Sequence, residues 1–121
     1  MTKQEFRSYM ERQFEKLRAT SASGQAEYAH GQDAFDNFKR LAGMLNLEKE
    51  EVLFVYMQKH LDGIASWIKG HRSQREPVQG RIDDAMVYLL LLRAMADEEE
   101  GLTKEVPMPP LASLIPPPRV Q

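Results

Sequence analysis

A chain of 121 residues has the length of one ordinary domain, and 42% apolar with 28% charged residues suits a packed interior under a solvated surface. A net charge of -2 and a pI near 5.9 give no whole-molecule attraction to nucleic acid or anionic lipid. The absence of cysteine excludes disulfides, thiolate zinc sites, iron–sulfur clusters and a cysteine nucleophile together.

The charged stretch Met1 to Arg12 does not read as a signal peptide. The longest apolar run, Ala85 to Leu92, falls well short of the roughly 18 residues that cross a bilayer. The expectation is a soluble, cytoplasmic protein without a membrane partner.

In chain order, the first predicted helix covers residues 3–19. Phe6, Tyr9, Met10, Phe14 and Leu17 recur every three to four positions, and Ser21 to Gly24 should stop it. After a connecting segment, Asp33 is placed to cap a second helix over 34–45, with Phe35, Phe38, Leu41, Ala42 and Leu45 on one face. Asn46 should end that helix and cap the next.

The third helix is predicted over 47–69. Glu48, Glu50 and Glu51 favour its positive N-terminus, and Leu53, Met57, Leu61, Ile64 and Ile68 form its stripe. Gly70 stops it. The fourth helix, 81–99, is apolar all round from Ala85 to Leu92 and should be covered on nearly every side, in a bundle or at a subunit interface. The expected architecture is all-α: a four-helix bundle-like domain over 1–100 and a proline-rich extended tail over 101–121, which holds six of the seven prolines.

Polar residues that interrupt the apolar stripes are the functional signal. His60 lies three residues after Met57 and four before Ile64, on the core-facing side of its helix. Tyr88 lies one turn beyond Asp84, and Arg81 one turn before it, close enough to pair. In a bundle, Asn37, Lys59, His60, Arg81, Asp84 and Tyr88 would converge on one ligand-binding pocket. The same spacing also suits a hydrogen-bonded core histidine beside an end-of-helix ion pair.

Magnesium chemistry on helices calls for carboxylates at i and i+3 on one helix and a second pair on its neighbour. Glu48 and Glu51 have the spacing, though capping accounts for them, and three residues before Asp84 stands the cation Arg81. Glu51, Asp83 and Asp84 are the remaining metal candidates. No serine sits in a strand–turn–helix elbow and there is no phosphate-binding glycine loop, so catalytic residues are not assigned. After Trp67, Lys69, His71, Arg72 and Arg75 form a secondary basic loop that suits phosphate groups or a solvated surface.

The runs Glu27-Tyr28, Asp33-Ala-Phe-Asp-Asn37-Phe38, Lys59-His60-Leu-Asp62 and Glu76-Pro77-Val-Gln-Gly80-Arg81-Ile-Asp-Asp84, with Tyr88, resemble an uncharacterised family of small phage and prophage proteins. That family is in turn distantly similar to the MazG-like all-alpha NTP pyrophosphatases and to phage nucleotide-modification-associated domains. The resemblance covers about residues 25 to 95. It implies a helical, oligomeric protein whose cleft takes a nucleotide, with magnesium if the cleft is hydrolytic.

Residue by residue, the resemblance places Asp84 and Tyr88 on the last motif helix, Lys59 at a basic position, and Glu50 or Glu51 near an acidic ligand. Glycine or arginine stands where Asp84 should have its acidic partner, and Val87 where the relatives often carry asparagine. The implied reading is a degenerate catalytic site that binds a nucleotide or other phosphorylated ligand, modulating host nucleotide metabolism or sequestering a defence signal. The alternatives are a protein-interaction factor acting on a host enzyme or defence complex, and a magnesium-dependent nucleotide pyrophosphohydrolase.

Overall fold

The computed structural model describes residues 1–28 and 33–102, apart from the side chains of 21–28. Among the described residues the chain forms four α-helices and no strand: α1 Lys3–Tyr28, α2 Asp36–Leu45, α3 Lys49–Ile68 and α4 Val78–Glu99. The all-helical, bundle-like architecture expected from periodicity is present. The proline-rich segment 103–121 and residues 29–32 lie outside the described residues.

α1 opens on a reciprocal cap. The Glu5 N–H donates to Thr2 Oγ1 at 3.0 Å, and the Thr2 N–H donates to Glu5 Oε2 at 2.8 Å. The helix does not stop at Ser21–Gly24 as predicted but continues to Tyr28. Serine and glycine disfavour a helix interior by only about 1 kcal/mol per residue at most, too little to end one that is otherwise sustained. Of the predicted stripe, Leu17 is buried, whereas Phe6, Tyr9 and Phe14 are exposed. Among the described residues α1 packs on α4 and on no other helix.

Asp33 does not cap by continuing directly into helix. Its Oδ1 accepts from the Phe35 N–H at 2.9 Å, forming a small turn that delays α2 to Asp36. Phe38 and Ala42 then face inward with Phe35 from the preceding turn, while Leu45 stays exposed. Asn46 takes the left-handed conformation (φ 55°) and ends α2 as expected. It does not also cap α3. Glu48 has that place, its N–H donating to the Glu51 carboxylate at 3.0 Å.

α3 and α4 are the antiparallel pair at the centre of the molecule, and α2 packs on α3. Along α3 the buried positions are Val52, Leu53, Met57 and His60, with Ile64 half-buried; Leu61 and Ile68 point outward. The inward stripe therefore runs 53–57–60–64, and a histidine holds the position given to Leu61 in the sequence reading.

Gly70, at φ 106°, turns the chain where a side chain would be strained. α4 begins at Val78, three residues earlier than predicted, because Pro77 presents a backbone already close to helical φ (-57°). The core joins Phe35, Phe38 and Ala42 to Val52, Leu53 and Met95, with Tyr88, Leu91 and Leu92 packed on it. Within this single chain Leu89 and Leu90 remain exposed, so the full covering expected of α4 is not reached.

Candidate functional site

Below the apolar core, where the second half of α3 crosses the start of α4, the interior turns polar. His60 is 4% exposed and inclines at 34° over the Tyr88 ring, centroids 5.6 Å apart. Tyr88 in turn meets Phe38 edge-on at 6.3 Å, which anchors the imidazole to the core through one aromatic chain. Burial raises the Tyr88 phenol above its ordinary range, helped by the Asp84 charge and by Tyr56.

The His60 Nε2 faces Asp84 Oδ2 at 3.7 Å, an ion-pair distance outside hydrogen-bond range. Its Nδ1 is buried without a hydrogen-bond partner. Glu76, on the loop leading into α4, brings a third group: His60, Glu76 and Asp84 each offer one donor atom, all within 4.8 Å of one another. Both carboxylates are about half open to solvent, so the group has a buried nitrogen floor and an accessible oxygen rim.

Arg81 lies across α3 beside this cluster. Its Nη1 donates to the Lys59 carbonyl at 3.4 Å and stands 4.0 Å from Glu76 Oε2. The lie depends on Gly63. A Cβ at that position would come within 2.4 to 2.6 Å of the Arg81 Cδ, Nε and Cζ. Gln74 closes the other flank, donating to the Gly63 carbonyl at 3.0 Å and the His71 carbonyl at 3.1 Å, which fastens the loop to α3.

Among the described residues, the buried side-chain atoms without a hydrogen-bond partner are His60 Nδ1, Gln74 Oε1 and Arg81 Nε. All three belong to this end of the α3–α4 pair. An unsatisfied buried polar group costs about 1–3 kcal/mol, and natural interiors hold few. Their gathering in one place marks polar chemistry that core packing does not require.

His60, Arg81, Asp84 and Tyr88, expected to converge, are brought together. The pairing inside the group differs from the expectation: Arg81 turns to Glu76 and the Lys59 carbonyl, and Asp84 turns to His60. Lys59 stands exposed and meets Arg81 through its backbone. Asn37 is half-buried on α2, next to Phe38. Glu51 is held in the cap at the start of α3, and Glu50 pairs with Lys49 at 2.8 Å.

Asp83 is half-buried on α4 beside Asp84, rotated about 100° around the helix. In the basic loop the Arg72 guanidinium stacks on Trp67 at 3.8 Å, while Lys69, His71 and Arg75 are exposed.

Glu76, Gly63 and Gln74 are the site residues that the sequence reading did not assign. Glu76 had one local signal, its place directly before the proline that starts α4. Gly63 and Gln74 become meaningful only once the loop folds back over α3. No protein-family model, no curated protein and no solved structure matches the chain.

Proposed function

We propose that this chain is a small helical protein of the phage type that binds a nucleotide or similar phosphorylated ligand at the α3–α4 site, with a degenerate catalytic centre. The supporting observation is the meeting of a buried imidazole, two half-open carboxylates and a guanidinium where, among the described residues, the buried side-chain polar atoms lack partners. Arg81 supplies a planar cation suited to phosphate oxygens, and the Tyr88–His60 stack offers an aromatic wall. In this reading Asn37, Lys59 and the basic loop of Lys69, His71, Arg72 and Arg75 extend the contacts to a larger ligand.

The test is calorimetric titration of a nucleoside mono-, di- and triphosphate panel with divalent metal present, run beside an assay for released pyrophosphate. Binding without release is the expected result. Release at catalytic rates would move the assignment to a nucleotide pyrophosphohydrolase, and no binding across the panel would remove this reading.

A second reading rests on a different observation. Leu89 and Leu90 on α4 and Phe54 and Val55 on α3 are exposed by half or more. We propose that a further copy of the chain covers them, giving a homo-oligomer in the host cytoplasm, with a host enzyme or defence complex as the competing occupant. Among the described residues no helix is long and apolar enough to cross a membrane. Light scattering on purified protein reports the assembly: a monodisperse monomer would remove the oligomer.

A further inference from the structure

We propose that His60, Glu76 and Asp84 form a binding site for one divalent first-row transition-metal ion. The magnesium set implied by the family resemblance does not fit this fold. Glu51 is committed to the α3 cap and Glu50 to Lys49, and Glu51 lies roughly 13 Å along the helix from His60 at 1.5 Å per residue. Only Asp84 of that set reaches the cluster.

The donors that do converge are one imidazole nitrogen and two carboxylate oxygens from three separate parts of the chain. A four-coordinate ion with bonds of about 2.0–2.1 Å holds its ligand atoms roughly 3.3 Å apart. The His60 Nε2 to Asp84 Oδ2 separation of 3.7 Å is already close to that, and the whole trio lies within 4.8 Å.

The buried histidine distinguishes this group from an ordinary acidic patch. His60 is more than nine-tenths buried, its Nε2 aimed at Asp84 beyond hydrogen-bond reach and its Nδ1 without a partner. The stack on Tyr88 fixes the plane of that ring, and a coordinating imidazole needs a fixed orientation. Mixed nitrogen and oxygen donors favour Mn²⁺, Fe²⁺, Co²⁺ or Zn²⁺ over Mg²⁺ and Ca²⁺, which prefer oxygen alone.

The ion also has an electrostatic consequence. Glu76, Asp84 and Arg81 together carry net negative charge, which repels phosphate; a bound dication makes the cluster net positive. The site stands on its donors and is tested without nucleotide, so it survives or fails separately from the binding reading above.

The experiment titrates Mn²⁺ and Zn²⁺ alone into the full chain, with Mg²⁺ as competitor, and repeats this with Glu76→Gln and Asp84→Asn, which keep side-chain shape. One ion per chain is expected, with affinity about tenfold or more lower in each variant and little competition from equimolar Mg²⁺. Pulsed electron paramagnetic resonance of the Mn²⁺-loaded protein should show coupling to an imidazole nitrogen. That coupling should persist when the two other histidines are replaced, as His30→Gln and His71→Gln. The spectrum of that double variant thus reports His60 even if a His60 variant fails to fold. Absence of stoichiometric binding by folded protein, equal competition by Mg²⁺, no nitrogen coupling, or unaltered affinity in both carboxylate variants would each overturn the assignment.

Discussion

The two ends of the α3–α4 pair are built by opposite rules. At one end Leu53 and Met95 are fully buried, and Phe38, Ala42 and Val52 close around them with no partnerless buried side-chain atom among the described residues there. At the other, His60 takes an equivalent inward position on the same helix, and the groups around it include every partnerless buried side-chain atom among the described residues. The first end minimises free energy by close packing. The second holds polar groups in an arrangement that packing alone would remove, the pattern expected where a fold carries a binding task.

If that contrast is right, substitutions should separate stability from ligand affinity according to the end they strike. The largest stability effect belongs to the apolar end: Leu53→Ala should lower unfolding free energy by about 2–5 kcal/mol in urea denaturation. A loss below about 1 kcal/mol would mean that the core is not centred there.

Gly63→Ala should do the reverse. Removing a helix-interior glycine favours the helix by up to about 1 kcal/mol, so thermal stability should hold or rise. The new methyl group meets the Arg81 side chain and must displace it, so affinity for a phosphorylated ligand should fall by roughly tenfold, the loss of one charge-assisted contact. Unchanged affinity would show that Arg81 does not meet the ligand.

Tyr88 gives a smaller, pH-dependent effect. Its raised phenol pKa means that the native state holds the proton more tightly than the unfolded chain. Its contribution is therefore complete below the ordinary phenol value of about 10 and is lost as pH rises through the folded value. Tyr88→Phe should flatten the alkaline part of a stability–pH curve, and an identical slope in both proteins would contradict the burial argument.

The smallest change is expected from Asp33→Ala, at the exposed Asp33–Lys39 pair. Lys39 and the Phe35 N–H lower the Asp33 pKa, so its contribution is present at neutral pH and disappears as pH falls below the ordinary aspartate range. Removing it should flatten the acid limb of the same curve, and the far alkaline limb where its partner Lys39 loses its raised pKa.

What the sequence made legible was mostly local. Asn46 and Gly70 marked helix ends because their backbone conformations are costly for most residues, and Glu51 marked a helix start through its cap. His60 was legible as inward-facing because Met57 and Ile64 fix the phase of α3, and Asp84 with Tyr88 because one turn of helix aligns them.

The missed features were tertiary. Glu76 joins the site only because the loop returns over α3, and neither charge nor periodicity encodes that return. The extension of α1 to Tyr28 and the delayed start of α2 turned on differences smaller than propensity can decide. The openness of Leu89 and Leu90 is likewise invisible to hydropathy, which records that a face is apolar and not whether this chain alone covers it.

The hollow at Gly63 makes a single hydrogen atom the measure of the whole arrangement. With nothing larger there, a long flexible arm rests flush against its neighbouring helix; any bulkier residue would lever it away while leaving the hydrophobic centre untouched. Evolution or an engineer could thus grade the lie of the Arg81 guanidinium from that one position without having to rebuild the scaffold.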